Sequence, residues 1–190
     1  MYRELTMFGK ATDELLIQKA LAGSERAWFG LVRRYEKRLY NYSLRMTGSP
    51  DDAMDILQDV LMSVYRNLST YRGDGVFAAW LFRIASFRCT DSLRRRGRQF
   101  VSTDDVDVID ESGPVIGNDI DGNKGLMGMM SLLPTEQKHV IELKFFQHFT
   151  FDEIAGQLGI SSNTAKSRMY AALKKMRAQT ENVMMVKEGA

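Results

Sequence analysis

Apolar residues recur along this chain at gaps of three and four, and no alternating run bounded by turn signals appears, so the chain is predicted to be all-α. A short face of Leu15, Leu16, Ala20 and Leu21 follows the capping residues Thr12 and Asp13 and ends at Gly23. Ser24 then opens a long helix whose buried face is Trp28, Leu31, Val32, Tyr35, Leu39, Tyr42 and Met46, and Gly48 stops it. Ser49, Pro50, Asp51 and Asp52 form a strong start signal, because a hydroxyl, a fixed φ and two carboxylates suit the free amides and positive dipole of a first turn. Ala53, Ile56, Leu57, Val60, Leu61, Val64 and Leu68 would bury this third helix. Its other side carries Asp55, Gln58, Asp59, Met62 and Arg66. A turn at residues 71–75 leads into a helix over 77–98 that ends in Arg94, Arg95, Arg96 and Arg98.

Residues 100–126 break the period. Seven carboxylates among Gly113, Pro114, Gly117, Gly122 and Gly125 read as an acidic, flexible linker. It divides the chain into two small helical domains, 1–99 and 127–190. In the second, Leu132-Leu133-Pro134-Thr135 starts a helix that runs to about residue 147. Thr150 and Glu153 have capping-box spacing, Phe149 and Ile154 have hydrophobic-staple spacing, and a helix over 151–158 follows. Gly159 turns the chain, Ile160 anchors it, Ser161 caps, and a last helix spans about 162–178.

Composition narrows the class. The 190 residues, 44% hydrophobic and 26% charged, suit one globular unit or two small ones and exclude a disordered or collagen-like chain. Apolar runs are only a few residues long where a membrane span needs about 20. Residues 1–25 lack the hydrophobic core of a signal peptide, and the single Cys89 cannot close an intrachain bridge. A cytoplasmic location is expected. The net charge of +2 separates into a first domain with 17 basic and 11 acidic residues, a linker with 1 and 7, and a second domain with 8 and 6. Basic blocks joined by an acidic tether suit a polyanion partner, although charge alone also fits solvated faces.

Three constellations carry candidate chemistry. Helix, Gly159 turn, helix, with small Ala155 and Ala165 at the crossing, has helix-turn-helix spacing, whose second helix enters a DNA major groove. Its leading residues are Ser162, Asn163, Thr164, Lys166, Ser167, Arg168 and Tyr170: Asn pairs with adenine, Lys and Arg take guanine or phosphate, and Thr meets the thymine methyl. By spacing alone an ordinary helical hairpin also fits. The 77–98 helix interleaves Trp80, Phe82, Phe87 with Arg83, Arg88 and the terminal arginines, the mixture that single-stranded bases and phosphates require. The plainer reading puts Trp80, Leu81 and Ile84 in the core. The stripe of Asp55, Gln58, Asp59, Met62 and Arg66 is either a docking face or simply solvated. No enzymatic constellation is found: His139 and His148 lack metal spacing, Cys89 has no nearby His, and no glycine-rich phosphate loop appears, so neither catalytic residues, metal nor cofactor is expected.

Taken together, residues 51–68 (DDAMDILQDVLMSVYRNL), 71–96 (YRGDGVFAAWLFRIASFRCTDSLRRR) and 132–177 closely resemble the extracytoplasmic-function sigma factors, small two-domain members of the bacterial sigma-70 family. The resemblance covers about residues 12–98 and 128–178, in family order. It implies a sigma region 2 helical bundle at 1–99 and a region 4 helix-turn-helix domain at 127–190. Such a protein binds core RNA polymerase and directs promoter-specific initiation, region 2 holding the melted −10 element and region 4 reading the −35 duplex. The resemblance places Asp55, Gln58, Asp59 and Met62 against the clamp helices of the largest polymerase subunit and region 4 near its flap. Arg72, Gly73, Asp74, Gly75, Ser86, Phe87, Arg88 and Asp91 fall where the family captures −10 bases, and Arg94 and Arg95 where it holds backbone or the −10 upstream edge. Ser162, Asn163, Thr164, Lys166, Ser167, Arg168 and Tyr170 fall on the −35 reader. An anti-sigma factor and a stress-response role are implied as well. Two positions depart from the family: Phe87 stands where a polar residue, often Asn, is usual, and Asn163-Thr164-Ala165 replaces a common Gly-Thr-Val.

Two other classes compete. A helix-turn-helix regulator with an N-terminal sensor or dimerisation domain needs neither the basic 77–98 helix nor the Asp55–Arg66 stripe, and a helical interaction protein predicts no DNA binding.

Overall fold

Helix boundaries in this chain follow from side chains that satisfy amides no helical turn can reach. The computed structural model describes residues 11–101 and 122–188, with side chains at 11–96 and 125–179. The acidic segment from Asp104 to Asp121 and the side chains of Arg98 and Val183 to Val186 lie outside the described residues. Helix α1 (Asp13–Leu21) starts at Thr12, whose hydroxyl oxygen accepts from the Leu15 amide at 3.4 Å. Helix α2 (Glu25–Thr47) starts at Ser24, and α3 (Pro50–Asn67) at Ser49, each accepting one amide at 3.3 Å. Between them Gly48 closes α2 at a φ of 76°, a left-handed conformation that strains any residue with a Cβ. A 3₁₀ turn (Leu68–Thr70) then leads to α4 (Phe77–Val101).

The second half contains α5 (Gly122–Ser131), α6 (Thr135–Ile141) continuing into a π-helical turn (Glu142–Phe146), α7 (Phe151–Leu158) and α8 (Ser162–Glu188). Thr150 and Glu153 form the expected capping box. All secondary structure among the described residues is helical.

The structure differs from the sequence pattern at three places, and two of these have a clear physical cause. Leu15 and Leu21 are 41% and 51% exposed, whereas Ile17 is buried. The Asp13 carboxylate is held by Arg34 and by the Tyr35 hydroxyl of α2, which sets the rotation of α1 and turns Leu16 and Ile17 inward. Helix α5 crosses the expected boundary at residue 127, because Met127 and Met130 are buried and the helix packs on α2 and α8. Helix α8 runs on past the expected end near residue 178.

Helices α2, α3 and α4 enclose Leu39, Tyr42, Val60, Phe77, Leu81 and Phe82, and each fully buried side chain of this kind contributes about 1.5–3 kcal/mol. The rings meet edge-on, Tyr35 with Phe77 at 5.6 Å and Tyr42 with Phe82 at 5.5 Å. In the second half Val140, Leu143, Ile154, Ala165, Met169 and Ala172 fill the space between α6, α7 and α8. The two cores are continuous. Phe82 of α4 meets Phe149 at 6.0 Å, and around that contact the seam between the halves is polar.

At the seam Arg45 holds Glu142 with two bonds of 2.6 and 2.7 Å. The Gln147 amide donates to the same carboxylate at 3.0 Å, and its oxygen accepts twice from Arg38 at 3.1 and 3.0 Å. His139 bridges Tyr42 of α2 at 2.6 Å and Thr90 of α4 at 3.0 Å. Burial pushes the His139 ring down to about 4, and the nearby charges of Arg168 and Lys138 act in the same direction. Burial pushes the Glu142 carboxyl up, against the pull of Arg45.

Candidate nucleic-acid and polymerase interfaces

Helices α7 and α8 cross with Ala155 and Ala165 both buried, as a close approach requires, and Gly159 turns the chain at a φ of 66°. Met169 and Ala172 continue the inward face of α8. Rotation is thereby settled: Asn163, Lys166, Ser167, Tyr170, Lys174 and Lys175 form one exposed stripe, Tyr170 being 65% exposed. Of the other expected readers, Ser162 donates to the Asp152 carboxylate and ties α8 to α7. The Thr164 hydroxyl bonds that of the cap Ser161 at 2.8 Å, and Arg168 is half-buried with its charge bearing on His139. The Lys166 ammonium lies 5.8 Å from the Phe151 ring centre, within cation–π range.

The outer side of α4 carries the aromatic-basic mixture only in part. Leu81 and Phe82 are core, and Trp80 is half-buried in a cluster with Tyr71 and Phe77. Arg83 and Phe87 project outward, Phe87 being 67% exposed. Arg88 is drawn back to α3, where Nε and Nη2 donate to the Ser63 hydroxyl at 3.1 and 2.7 Å. Arg72, Gly73, Asp74 and Gly75 are exposed on the turn before α4. Ser86 is only 4% exposed and bonds the Tyr42 hydroxyl at 2.8 Å, so it faces the core and not the solvent. Asp91 accepts from Arg95 and Arg94, and those bonds hold its carboxyl below the usual range. Between α3 and α4 lies a cleft of about 370 Å³ lined by Ser63, Asn67, Trp80, Arg83, Phe87 and Arg88.

On α3, Asp55, Gln58, Asp59 and Met62 are all exposed along one stripe, flanked by exposed Met54 and Tyr65. Asp55 and Asp59 share a second groove with Arg95 and Arg96 of α4, and Arg96 pairs with Asp52.

Residues 31–99 match the family Sigma-70 region 2, and residues 124–176 match Sigma-70, region 4. The chain belongs to the sigma-70 family. Its relatives place it in the extracytoplasmic-function branch. It is 29% identical over 156 residues to the ECF RNA polymerase sigma factor SigE of Mycolicibacterium smegmatis, covering 80% of this chain and 60% of that protein. It is 29% identical over 180 residues to the ECF RNA polymerase sigma-E factor of Escherichia coli K12, covering 87% of this chain and 93% of that protein. Among solved structures the fold is similar to CnrH, determined with the cytosolic domain of CnrY, at a TM-score of 0.67 and 24% identity over 90% of this chain and 97% of that one. It is also similar to RpoE of Bartonella quintana, determined with the anti-sigma factor NepR, at a TM-score of 0.70 and 22% identity over 79% of this chain and 94% of that one. The protein is a promoter-directing sigma factor of RNA polymerase. Sigma factors are in general non-enzymatic initiation factors, and no described helix is long and apolar enough to cross a membrane.

Within this sigma factor the exposed parts of the expected sites separate onto three faces: the turn before α4 with its outer side, the α8 stripe, and the α3 stripe. Sequence reasoning missed the seam. Its signal was present as polar residues, His139 and Glu142, falling in an otherwise apolar stripe with Leu143 and Phe146.

Proposed function

We propose that region 2 of this sigma factor holds the melted −10 strand and region 4 reads the −35 duplex. The observation that carries this reading is the pairing of an exposed aromatic-basic face on α4 with an exposed polar-cationic stripe on α8. Unstacked bases need rings and their phosphates need charge, which Phe87, Arg83, Arg72, Arg94 and Arg95 supply. Ser86 and Asp91 act from behind, the first fixing α4 on Tyr42 and the second aligning Arg94 and Arg95. On α8, Asn163, Lys166, Ser167 and Tyr170 reach base edges or phosphate, while Ser162, Thr164 and Arg168 hold the helix in position. Asp55, Gln58, Asp59 and Met62 dock on the clamp helices of core polymerase, and region 4 on its flap. The units of action are 1–99 and 127–190, joined by the acidic segment. Cytoplasmic, non-enzymatic action at promoters follows. An anti-sigma partner is in keeping with CnrH and RpoE, both determined with protein partners.

The promoter also dictates a motion. The two elements are about 25 base pairs apart, roughly 85 Å at 3.4 Å per pair. A folded chain of 190 residues has a radius of gyration of only about 16 Å. Both elements are therefore engaged only when the seam between regions 2 and 4 has parted.

Transcription in vitro with purified core polymerase tests the reading. Promoter-dependent initiation and co-elution with core enzyme are expected; the absence of both overturns it. Replacing Asn163 and Lys166 together by Ala is expected to weaken −35 duplex recognition about 5- to 100-fold with core binding retained, measured by footprinting of the holoenzyme.

A further inference from the structure

A cavity of about 430 Å³ lies where the two halves meet, and both build its wall: Tyr71, Arg72, Trp80 and Arg83 from region 2, Gly156 and Gln157 from α7. Its size is that of a small-molecule site, about 300–1,000 Å³. Two residues of α7 are unexplained by the fold around them. Gln157 is only 8% exposed, the most deeply buried member of the wall, yet its amide nitrogen and oxygen have no hydrogen-bond partner. Buried amides are almost always paired, so this one leaves a donor and an acceptor to be met from outside the chain. Gly156 stands inside a helix, where glycine is unfavourable, and a Cβ there would meet no atom within 4 Å outside its own helix. Neither a turn nor close packing requires this glycine; its effect is to keep the cavity wide.

We propose that this cavity binds an adenine nucleoside monophosphate, and that the bound nucleotide holds regions 2 and 4 together. A glutamine amide pairs bidentately with the N6 and N7 edge of adenine, which offers the donor and the acceptor that Gln157 lacks. Trp80 is half-buried beside Tyr71, their ring centres 5.7 Å apart, and gives the base an apolar wall. Arg72 and Arg83 are exposed, and two guanidinium groups balance a phosphate monoester of charge about −2. A longer phosphate chain would meet repulsion from Asp74 and Glu153 in the same wall. Because the wall is complete only when region 4 packs on region 2, the ligand selects the closed form, favouring it about 100-fold at 100 times its Kd. Arg72 and Arg83 also belong to the face proposed above for the −10 strand, so the nucleotide opposes promoter engagement. That consequence, unlike the site, rests on the promoter reading.

The test titrates adenosine 5′-monophosphate (AMP) into the free full chain by calorimetry, with GMP, CMP, ATP and inorganic phosphate as comparisons. Saturable binding of one equivalent of AMP is expected, tighter than any of the others. Q157L is expected to bind AMP about 5- to 150-fold more weakly and to lose the preference over GMP. G156L, whose side chain fills the cavity, is expected not to bind, and both variants should form open promoter complexes like the wild type when AMP is absent. With wild-type protein, AMP added before core polymerase, no other nucleotide being present, should reduce open complexes, and with G156L it should not. No binding of AMP by the wild type, unchanged binding by Q157L, or phosphate binding as tightly as AMP would overturn the site. Binding that leaves open complexes undiminished would overturn the closed-form coupling. A chain that binds AMP and never initiates sinks the promoter reading and spares the site; a chain that initiates and binds no AMP does the reverse.

Discussion

The interior of region 2 and the seam against region 4 are both buried, yet they are made of different material. Inside region 2, Leu39, Val60, Phe77 and Leu81 are buried in one apolar cluster. At the seam the buried groups include Glu142, His139 and Gln147, each with a partner on α2, and also Gln157, whose amide nitrogen and oxygen are buried without a bond. An apolar interior loses heavily when opened to water, because nothing in the solvent replaces its contacts. A seam of charges and amides is rehydrated when it parts, so it separates at a much smaller net loss. That contrast suits the proposed parting of regions 2 and 4 at a promoter, in which each region stays folded.

The sharpest way to break the comparison is Phe77→Ala. The ring is enclosed by Tyr35, Tyr71 and Trp80, and its loss should remove about 3–5 kcal/mol from region 2, read as a lowered urea midpoint of its unfolding. Glu142→Gln should cost about 3 kcal/mol, but at the seam: it leaves Arg45 without its charge partner. The expected result is a larger hydrodynamic radius with the region 2 helices intact, and Arg45→Met with Glu142→Leu should recover most of the compaction. Loss of helical signal in Glu142→Gln alone would show that the seam is part of one indivisible core.

Acid should act on the seam next. His139 has an ordinary value of 6.5 and is pushed down to about 4 when buried. Its neutral form is the one the packed state accommodates, so the contribution is complete above about 6.5 and falls as the pH drops from there towards 4. Between pH 7 and 5 the packed state should lose about 2 kcal/mol, and His139→Gln should flatten that dependence in a titration of hydrodynamic radius. The smallest effect belongs to a helix end: Thr150→Ala removes the cap of α7 and should cost about 1 kcal/mol of region 4 stability by thermal melting.

Helix starts and one-sided stripes were legible in the chain because their causes are local. Ser49 and Thr150 cap the amide three residues on, and the spacing of Asn163, Lys166, Ser167 and Tyr170 puts them on one face wherever the helix lies. Helix α5 was not legible, since Gly122, Gly125 and Gly128 oppose a helix in isolation and only the burial of Met127 and Met130 overrides them. Nor was the inward turn of Ser86, one residue before the exposed Phe87, because its partner Tyr42 lies on another helix.

By itself, then, the sequence determined the family, most of the helices with their caps, and the one-sided stripes proposed to meet DNA and polymerase, all of which depend on residues a few positions apart. Only the tertiary structure decided which members of those faces remain available and how the two halves meet. His139 finds Tyr42 at a separation of 97 residues and Thr90 at 49, and Glu142 finds Arg45 at 97. Bonds over such distances leave no period in the chain; they exist only once two cores have formed and packed, when burial makes an unpaired charge too costly to leave alone.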